Sequence, residues 1–244
     1  MSPKKMNKVY GMLFMFLAWV VTLLLARLQT VVEDREKRRD RRWIRRIRIF
    51  LYSLVASAVY AGPMFSFSCP PFPSFLQFHF DEIPLLVVGL EEGPMAVLIV
   101  LLIKSATRLL FQPSDLLGIF ADFVISATFV LPACFLHEEK QGWKPIALGL
   151  LISVPLSCLV SVLVNVFIVI PAYVRYFGFS EEEILSICQQ SDPGIENLTW
   201  SYAFRSVLPF NLLKELVVTV FALLFYQAGK WATKEEPRRP DFIG

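Results

Sequence analysis

Several apolar runs in this chain reach the length of about 20 residues that an α-helix needs to cross a bilayer. The runs are continuous rather than alternating, which excludes the pattern of transmembrane β-strands. Because 55% of its 244 residues are hydrophobic, the chain is too apolar for an ordinary soluble domain of this size. We therefore expect one all-α integral membrane domain.

The first apolar run, from Tyr10 to about Leu28, precedes a strongly charged segment. Its end lacks the small-residue pattern of a cleavage site, so it is expected to be an uncleaved anchor helix. Nine Lys or Arg and four Asp or Glu follow between Glu33 and Arg48. A basic run can bind nucleic acid, but between two membrane spans the positive-inside rule explains it better. No nucleic-acid partner is therefore expected.

These features divide the chain into three parts. We expect residues 1–48 to form an extra N-terminal transmembrane helix and a basic cytoplasmic extension, and residues 231–244 a basic cytoplasmic tail. Residues 49–230 would form the membrane domain, a six-helix bundle. Its predicted crossings are 49–67, 83–90, 94–110, 114–136, 145–175 and 201–226. The segment 83–90 is too short to span unless it is tilted or half-buried.

The charge pattern also predicts an orientation. With both basic segments in the cytoplasm, the loop 68–82 and the acidic loop 178–200 fall outside. The acidic loop has five Asp or Glu and no Lys or Arg. We therefore expect a multi-pass protein of the bacterial cytoplasmic membrane with its C-terminus in the cytoplasm.

Polar side chains inside the apolar spans are the main functional signal, because a central Lys costs about 2.5–3.5 kcal/mol to insert. At a rise of about 1.5 Å per residue, four of them lie roughly 9–15 Å below the same membrane face. These four are Lys104, Asp122, Asn165 and Asn211. Lys214 follows Asn211 by three residues and shares its helix face. The pattern predicts a small-molecule site inside the bundle.

Two interpretations of these residues remain open. Lys104 and Asp122 contact a ligand, or they belong to an internal ion-pair network in which Asp122 pairs with Lys104 or Lys214. For Asn165, Asn211 and Lys214 we favour ligand contact. Arg108 lies near the end of its span, where we expect it to contact lipid headgroups.

The Pro- and Phe-rich loop 68–82 would lie directly above this site and supply flat apolar rings. Amides offer both donors and acceptors and Lys offers donors, so a planar molecule with polar edges, such as a vitamin, fits. Carboxylates, His and Cys do not cluster, so no metal or cofactor is expected. The chain also lacks the GxxxxGK[ST], GxSxG and HExxH motifs, so we do not expect an enzyme.

Small residues at four-residue spacing mark the first crossing of the membrane domain. Ser53, Ser57 and Ala61 would let another helix approach closely. That helix belongs either to this chain or to another membrane protein.

At these residues the chain resembles the S components of energy-coupling factor (ECF) vitamin transporters, and especially the riboflavin-specific type. The resemblance covers about residues 49–230. The stretches that carry it are 75–84 (FLQFHFDEIP), 89–94 (GLEEGP), Ile103-Lys104, 165–173 (NVFIVIPAY) and 209–214 (PFNLLK).

The resemblance implies a pocket that opens outward and loops that act as gates. It implies that Asn165, Asn211 and Lys214 bind a flavin, and it draws Phe75, Leu76, Gln77 and Phe78 of the loop into the site. It also implies a transmembrane coupling subunit, which would contact Ser53, Ser57 and Ala61, and two ATPase subunits. Other vitamins, such as pantothenate or a queuosine precursor, and a membrane scaffold of the rod-shape type remain alternatives.

Overall fold

The computed structural model describes residues 41–62, 66–140 and 142–233. The predicted anchor helix 10–28 and nearly all of the basic tail lie outside these residues. In the described part, long apolar helices dominate and a short two-stranded hairpin lies at one end. The predicted mostly helical membrane architecture is confirmed.

The elements follow one another in a simple order. The helices are α1 (Arg41–Ala61), α2 (Glu82–Glu92), α3 (Pro94–Phe111), α4 (Leu116–Glu139), α5 (Trp143–Val164), α6 (Ile170–Tyr176), α7 (Glu181–Ser191), α8 (Trp200–Tyr202) and α9 (Leu208–Thr233). Two π-helical turns join α5 to α6 and α8 to α9, namely π1 (Asn165–Val169) and π2 (Ala203–Val207). The strands are β1 (Phe67–Ser68) and β2 (Gln77–Phe78), which pair antiparallel.

Four helical stretches in the described part are long and apolar enough to cross a membrane: Pro94–Phe111, Leu116–Glu139, Trp143–Tyr176 and Trp200–Trp231. They match four of the predicted crossings. Large apolar side chains such as Leu110, Leu151 and Phe167 are more than 60% exposed on their outer faces. In a bilayer these side chains would contact lipid tails rather than water.

The short helix α2 lies at the centre of the bundle and is buried on every side from Glu82 to Leu90. It packs against α1, α3, α4 and α9. Gly89 lets α2 approach α3 and α4 closely, because a Cβ at this position would lie 2.2 Å from Cys134 Sγ. The segment 83–90, predicted as a crossing too short to span unless tilted or half-buried, is therefore an internal helix enclosed by its neighbours.

Helix α1 differs from the predicted crossing 49–67 at both ends, because it is already helical at Arg41 and ends at Ala61. Its small residues face inward: Ser53 is 1% and Ser57 is 5% exposed. Ser53 Oγ donates to Ile49 O at 2.8 Å, and α1 packs extensively on α3. This burial fits packing inside the chain and leaves a partner no exposed surface at these two serines.

The loop 178–200, predicted as an acidic loop, contains the helix α7. Ser180 and Glu183 form a capping box at its start, in which each side chain bonds the other residue's backbone N–H. Ile184 and Cys188 are buried in a cluster with Tyr202. Arg205 binds Asp192 through two hydrogen bonds, of 2.8 and 3.0 Å. This region is therefore an ordered cover attached to the last long helix.

Candidate functional site

A cavity of about 510 Å³ lies between the loop 66–81 and the polar ends of the long helices. Small-molecule sites typically measure about 300–1,000 Å³. Its polar lining includes Tyr60, Ser66, Gln77, His79, Arg108, Gln112, Asp115, Asp122, Asn165, Tyr173, Asn211 and Lys214. Its apolar lining includes Phe75, Leu76, Ile125, Val169 and Phe210. An apolar wall with convergent polar groups suits a flat organic ligand.

Lys104 forms the deepest part of an ion-pair network beneath the cavity. Its side chain is completely buried, and its Nζ binds Asp81 Oδ2 and lies 2.8 Å from Asp122 Oδ2. Ser126 Oγ lies 3.4 Å from the same nitrogen. A buried cation needs such partners, because an unpaired charge in the interior costs several kcal/mol. The interpretation of Lys104 and Asp122 as an ion pair is confirmed.

Lys214 joins the network from α9. Its Nζ lies 2.9 Å from Glu82 Oε1, and Ser126 Oγ donates to the same oxygen at 2.8 Å. Glu82 opens α2, where the positive end of the helix dipole stabilises a carboxylate. An ammonium group has three donors, so Lys214 keeps donor capacity toward the cavity that it lines.

The two asparagines are held alike, Asn165 as the first residue of π1 and Asn211 four residues after the end of π2. Asn165 Nδ2 donates to Ser161 O at 2.9 Å, and Asn211 Nδ2 donates to Val207 O at 2.8 Å. Among the described residues these are the hydrogen bonds of the two amides, so each retains a carbonyl oxygen and one N–H for a ligand. Both residues are at least 92% buried and line the cavity. Single π-turns occur frequently at functional sites.

Arg108 lies at the cavity rather than in the headgroup layer, which corrects the expectation from its place in the span. It is 8% exposed. Its Nη1 donates to Tyr60 O at 3.0 Å and its Nη2 to Asp115 Oδ2 at 2.9 Å. The guanidinium carbon also lies 4.3 Å from the centre of the Tyr60 ring. These three contacts are internal, and together they fix the orientation of the guanidinium.

The loop over the cavity is ordered by the β1–β2 hairpin and by aromatic contacts. Phe72 and Phe78 pack edge-on against Phe210, with ring centres 5.4 and 4.8 Å apart. Phe67 stacks on Phe78 at 5.2 Å. The hairpin is therefore fixed to α9 by an aromatic cluster.

His79 follows β2 and lines the cavity beside Tyr60, with ring centres 5.4 Å apart. Burial lowers the pKa of His79 from 6.5 to about 4, although Asp81 and Asp122 act in the opposite direction. Its imidazole is therefore neutral at neutral pH. Its Nδ1 is buried and has no hydrogen-bond partner in the described part of the chain.

Seven of the nine predicted ligand-contacting residues line the cavity: Phe75, Leu76, Gln77, Asp122, Asn165, Asn211 and Lys214. Phe78 and Lys104 do not, because Phe78 packs in the aromatic cluster and Lys104 is enclosed by carboxylates. No sequence pattern marked Tyr60, Gln112, Asp115 or Tyr173 as ligand contacts. Only Tyr173 lay in a stretch marked by the resemblance. Within the residues described, no three His, Cys, Asp or Glu side chains are placed to hold a metal ion.

Comparison with known proteins places this geometry in a family. Residues 49–226 match the model of the family described as "ECF transporter, substrate-specific component". A solved structure titled "Structure and mechanism of the S component of a bacterial ECF transporter" has a similar fold. The TM-score is 0.63 and the sequence identity 25%, over 78% of this chain and 98% of the other.

Relatives with assigned functions point the same way. The chain is 26% identical to the "Riboflavin transporter RibU" of Staphylococcus aureus, over 74% of this chain and 88% of that protein. It is 25% identical to the "Riboflavin transporter FmnP" of Bacillus subtilis, over 77% and 95%. It is 29% identical to the RibU protein of Lactococcus lactis, over 73% and 89%.

Proposed function

The chain belongs to the family of ECF transporter substrate-specific components, and we propose that it is the riboflavin-binding subunit of a vitamin importer. Its part in transport is to capture the vitamin, while partner subunits supply the energy for release on the other side. One observation carries the proposal: Asn165, Asn211 and Lys214 converge on one cavity beneath an aromatic loop. The relatives named as riboflavin transporters support the choice of ligand.

The cavity matches the chemistry of a flavin. The isoalloxazine ring system is flat and apolar on both faces, and its pyrimidine edge carries carbonyl oxygens, ring nitrogens and one N–H. The free N–H and carbonyl of each asparagine and the ammonium of Lys214 complement such an edge. Phe75, Leu76 and Val169 offer apolar surface for the ring faces. The ribityl chain is a polyol and suits the polar groups Gln77, Gln112 and Tyr173.

The arrangement of the helices supports a topology. We propose six crossings between residues 49 and 230, with α2 as the internal, half-length one, and an extra transmembrane helix before them. The basic segment 33–48 and the basic tail would lie in the cytoplasm of a bacterial cell. The hairpin, the cover helix α7 and the mouth of the cavity would then face outward.

The partners follow from the family. We propose that a transmembrane coupling subunit and two ATPase subunits complete the importer, since the chain has no phosphate-binding loop of its own. Because Ser53 and Ser57 are buried, the exposed side of α1 around Leu54 and Ala58 is the better docking candidate, with Ala61 at its end. Helix contacts inside a membrane are enriched in small residues such as Ala, which let the two backbones approach closely.

An absorption spectrum of the full chain, purified in detergent without added ligand, tests the proposed ligand directly. We expect the visible bands of a flavin to co-elute with the protein, and added riboflavin to lose its fluorescence in proportion to protein. Pantothenate at the same concentration should not compete. A colourless protein that leaves riboflavin fluorescence unchanged would refute riboflavin and favour another vitamin or a scaffold role.

A further inference from the structure

The ion pair between Arg108 and Asp115 is built into the wall of the cavity. Both residues line it, and Arg108 Nη2 lies 2.9 Å from Asp115 Oδ2. Gly118, one turn further along α4, makes room for the carboxylate: a Cβ at this position would lie 2.3 Å from Asp115 Oδ1. The Asp115 side chain is 28% and the Arg108 side chain 10% exposed. Of the pair, the negative member is therefore the more accessible one.

The other charged groups around the cavity also form ion pairs, and in the whole set the carboxylates outnumber the cations by one. Lys214 is paired with Glu82, and Lys104 with Asp81 and Asp122. Among the described residues, the lining contains two Lys or Arg side chains, Lys214 and Arg108. Each of them has a carboxylate partner. The carboxylates in these pairs are Asp81, Glu82, Asp115 and Asp122, and the cations are Lys104, Arg108 and Lys214.

We propose that Asp115 determines specificity by holding the Arg108 guanidinium, so that the cavity accepts the uncharged flavin and discriminates against a flavin that carries a phosphate group. This inference rests on the proposed function and deepens it. A phosphate ester needs an unpaired cation, preferably an Arg that can bind it through two hydrogen bonds. In this cavity it would meet a guanidinium whose charge is already paired with the carboxylate of Asp115. Like charges brought together are a general means of rejecting a wrong partner.

The discriminating probe is flavin mononucleotide, the phosphate ester of riboflavin. Quenching of flavin fluorescence by the purified full-length chain would give the dissociation constants of both flavins, for the wild type and for Asp115→Asn. We expect the wild type to prefer riboflavin. Asp115→Asn keeps a hydrogen-bond acceptor for Arg108 but removes the negative charge. The affinity for flavin mononucleotide should therefore rise, relative to that for riboflavin, by about tenfold or more. The double variant Arg108→Gln/Asp115→Asn should lose this gain, because the gain requires the guanidinium.

Two further variants control the experiment. Asp192→Asn removes the carboxylate of another Asp–Arg pair, with Arg205, that does not line the cavity, and should leave the ratio of the two affinities unchanged. Asp115→Ser is the replacement if Asp115→Asn does not fold, since Ser also begins helices well.

The outcomes separate the two proposals. Equal wild-type affinities for both flavins, or an unchanged ratio in the Asp115 variants, would overturn the specificity role and leave riboflavin binding intact. If the wild type binds neither flavin, the proposed function fails and this inference fails with it. A narrowed preference in Asp115→Asn that disappears in the double variant would establish the role.

Discussion

Lys214 Nζ and Glu82 Oε1 lie 2.9 Å apart inside the bundle, although 132 residues separate them in the chain. The contact joins the first turn of the internal helix α2 to the long helix α9. Because Lys214 also lines the cavity, one side chain links the stability of the bundle to the ligand site. Changes at this position should therefore affect both properties.

Lys214→Ala is predicted to weaken riboflavin binding by about 1–3 kcal/mol, the scale of a lost buried hydrogen bond. It should also destabilise the fold by about 3–5 kcal/mol, because Glu82 is left as an unpaired buried charge. Adding Glu82→Gln should recover most of the stability but none of the affinity. Thermal melting in detergent and fluorescence quenching measure the two effects. Lys230→Ala, remote from the cavity, is the control, and equal affinity in Lys214→Ala and Lys230→Ala would remove Lys214 from the site.

Asn165→Ala and Asn211→Ala should each weaken riboflavin binding by about 1–3 kcal/mol, because a polar group of the ligand would lose its partner. Their effect on folding should be smaller, since each amide bonds only its own helix in the described structure. Gln190→Ala, on the exposed side of α7, provides the comparison. Titration of purified variants with riboflavin measures the change, and unaltered affinity in both variants would contradict the proposed contacts.

His79 should make stability depend on pH. Its pKa is lowered from 6.5 to about 4, so the unfolded chain binds a proton in that interval and the folded chain does not. Stability is then fully present above about 6.5 and decreases as the pH falls toward 4. Melting temperatures of the wild type and His79→Gln between pH 7 and 4 test this. The difference between the two proteins should change through this interval, and parallel curves would show that His79 does not titrate as inferred.

Gly149→Ala should destabilise the pairing of α4 with α5. A Cβ at Gly149 would lie 2.5 Å from Ala133 Cα, and backbone cannot move aside as a flexible side chain can. Overpacking of this kind costs about 1–3 kcal/mol. Gly229→Ala is the matched substitution, because among the described residues its Cβ would meet only Glu91 Oε1, at 3.5 Å. Melting in detergent should show a loss for Gly149→Ala alone.

Ser57→Leu and Ala58→Leu lie at neighbouring positions of α1. The first tests packing within the chain, and the second tests docking on the coupling subunit. Ser57 is 5% exposed, so a larger side chain there should reduce stability. Ala58 is exposed, so its substitution should preserve folding and riboflavin binding. If α1 docks on the coupling subunit, Ala58→Leu should reduce uptake by cells. Normal uptake with Ala58→Leu would move the docking surface elsewhere.

Hydropathy predicted the four long spans, because lipid demands long apolar helices. It also marked 83–90 as a crossing too short to span unless tilted or half-buried. The same logic located the site, since the polar groups that such helices tolerate are those with a partner or a ligand. Asn165, Asn211 and Lys214 stood out for this reason. In the structure all three line one cavity.

Other features depend on contacts that no local pattern specifies. The cover helix α7 is short and polar, and its burial rests on Ile184 and Cys188 meeting Tyr202. Gln77 lines the cavity while Phe78 packs against Phe210, because neighbouring residues of a strand point to opposite sides. No sequence pattern predicted that strand, because it lies in a Pro-rich loop. Asp81, the other carboxylate partner of Lys104, was missed for a similar reason, since it lies in the connection and not in a predicted span.

The length of α2 has a consequence for the volume of the protein. Eleven residues rise about 16 Å, roughly half of a hydrocarbon core that is about 30 Å thick. A full-length helix at the centre of the bundle would fill the space that the loop 66–81 and the cavity now occupy. Because α2 begins only at Glu82, beneath the cavity, it leaves a space inside the bundle, and its charged first turn closes that space from below. The space for a ligand therefore results from the short length of α2.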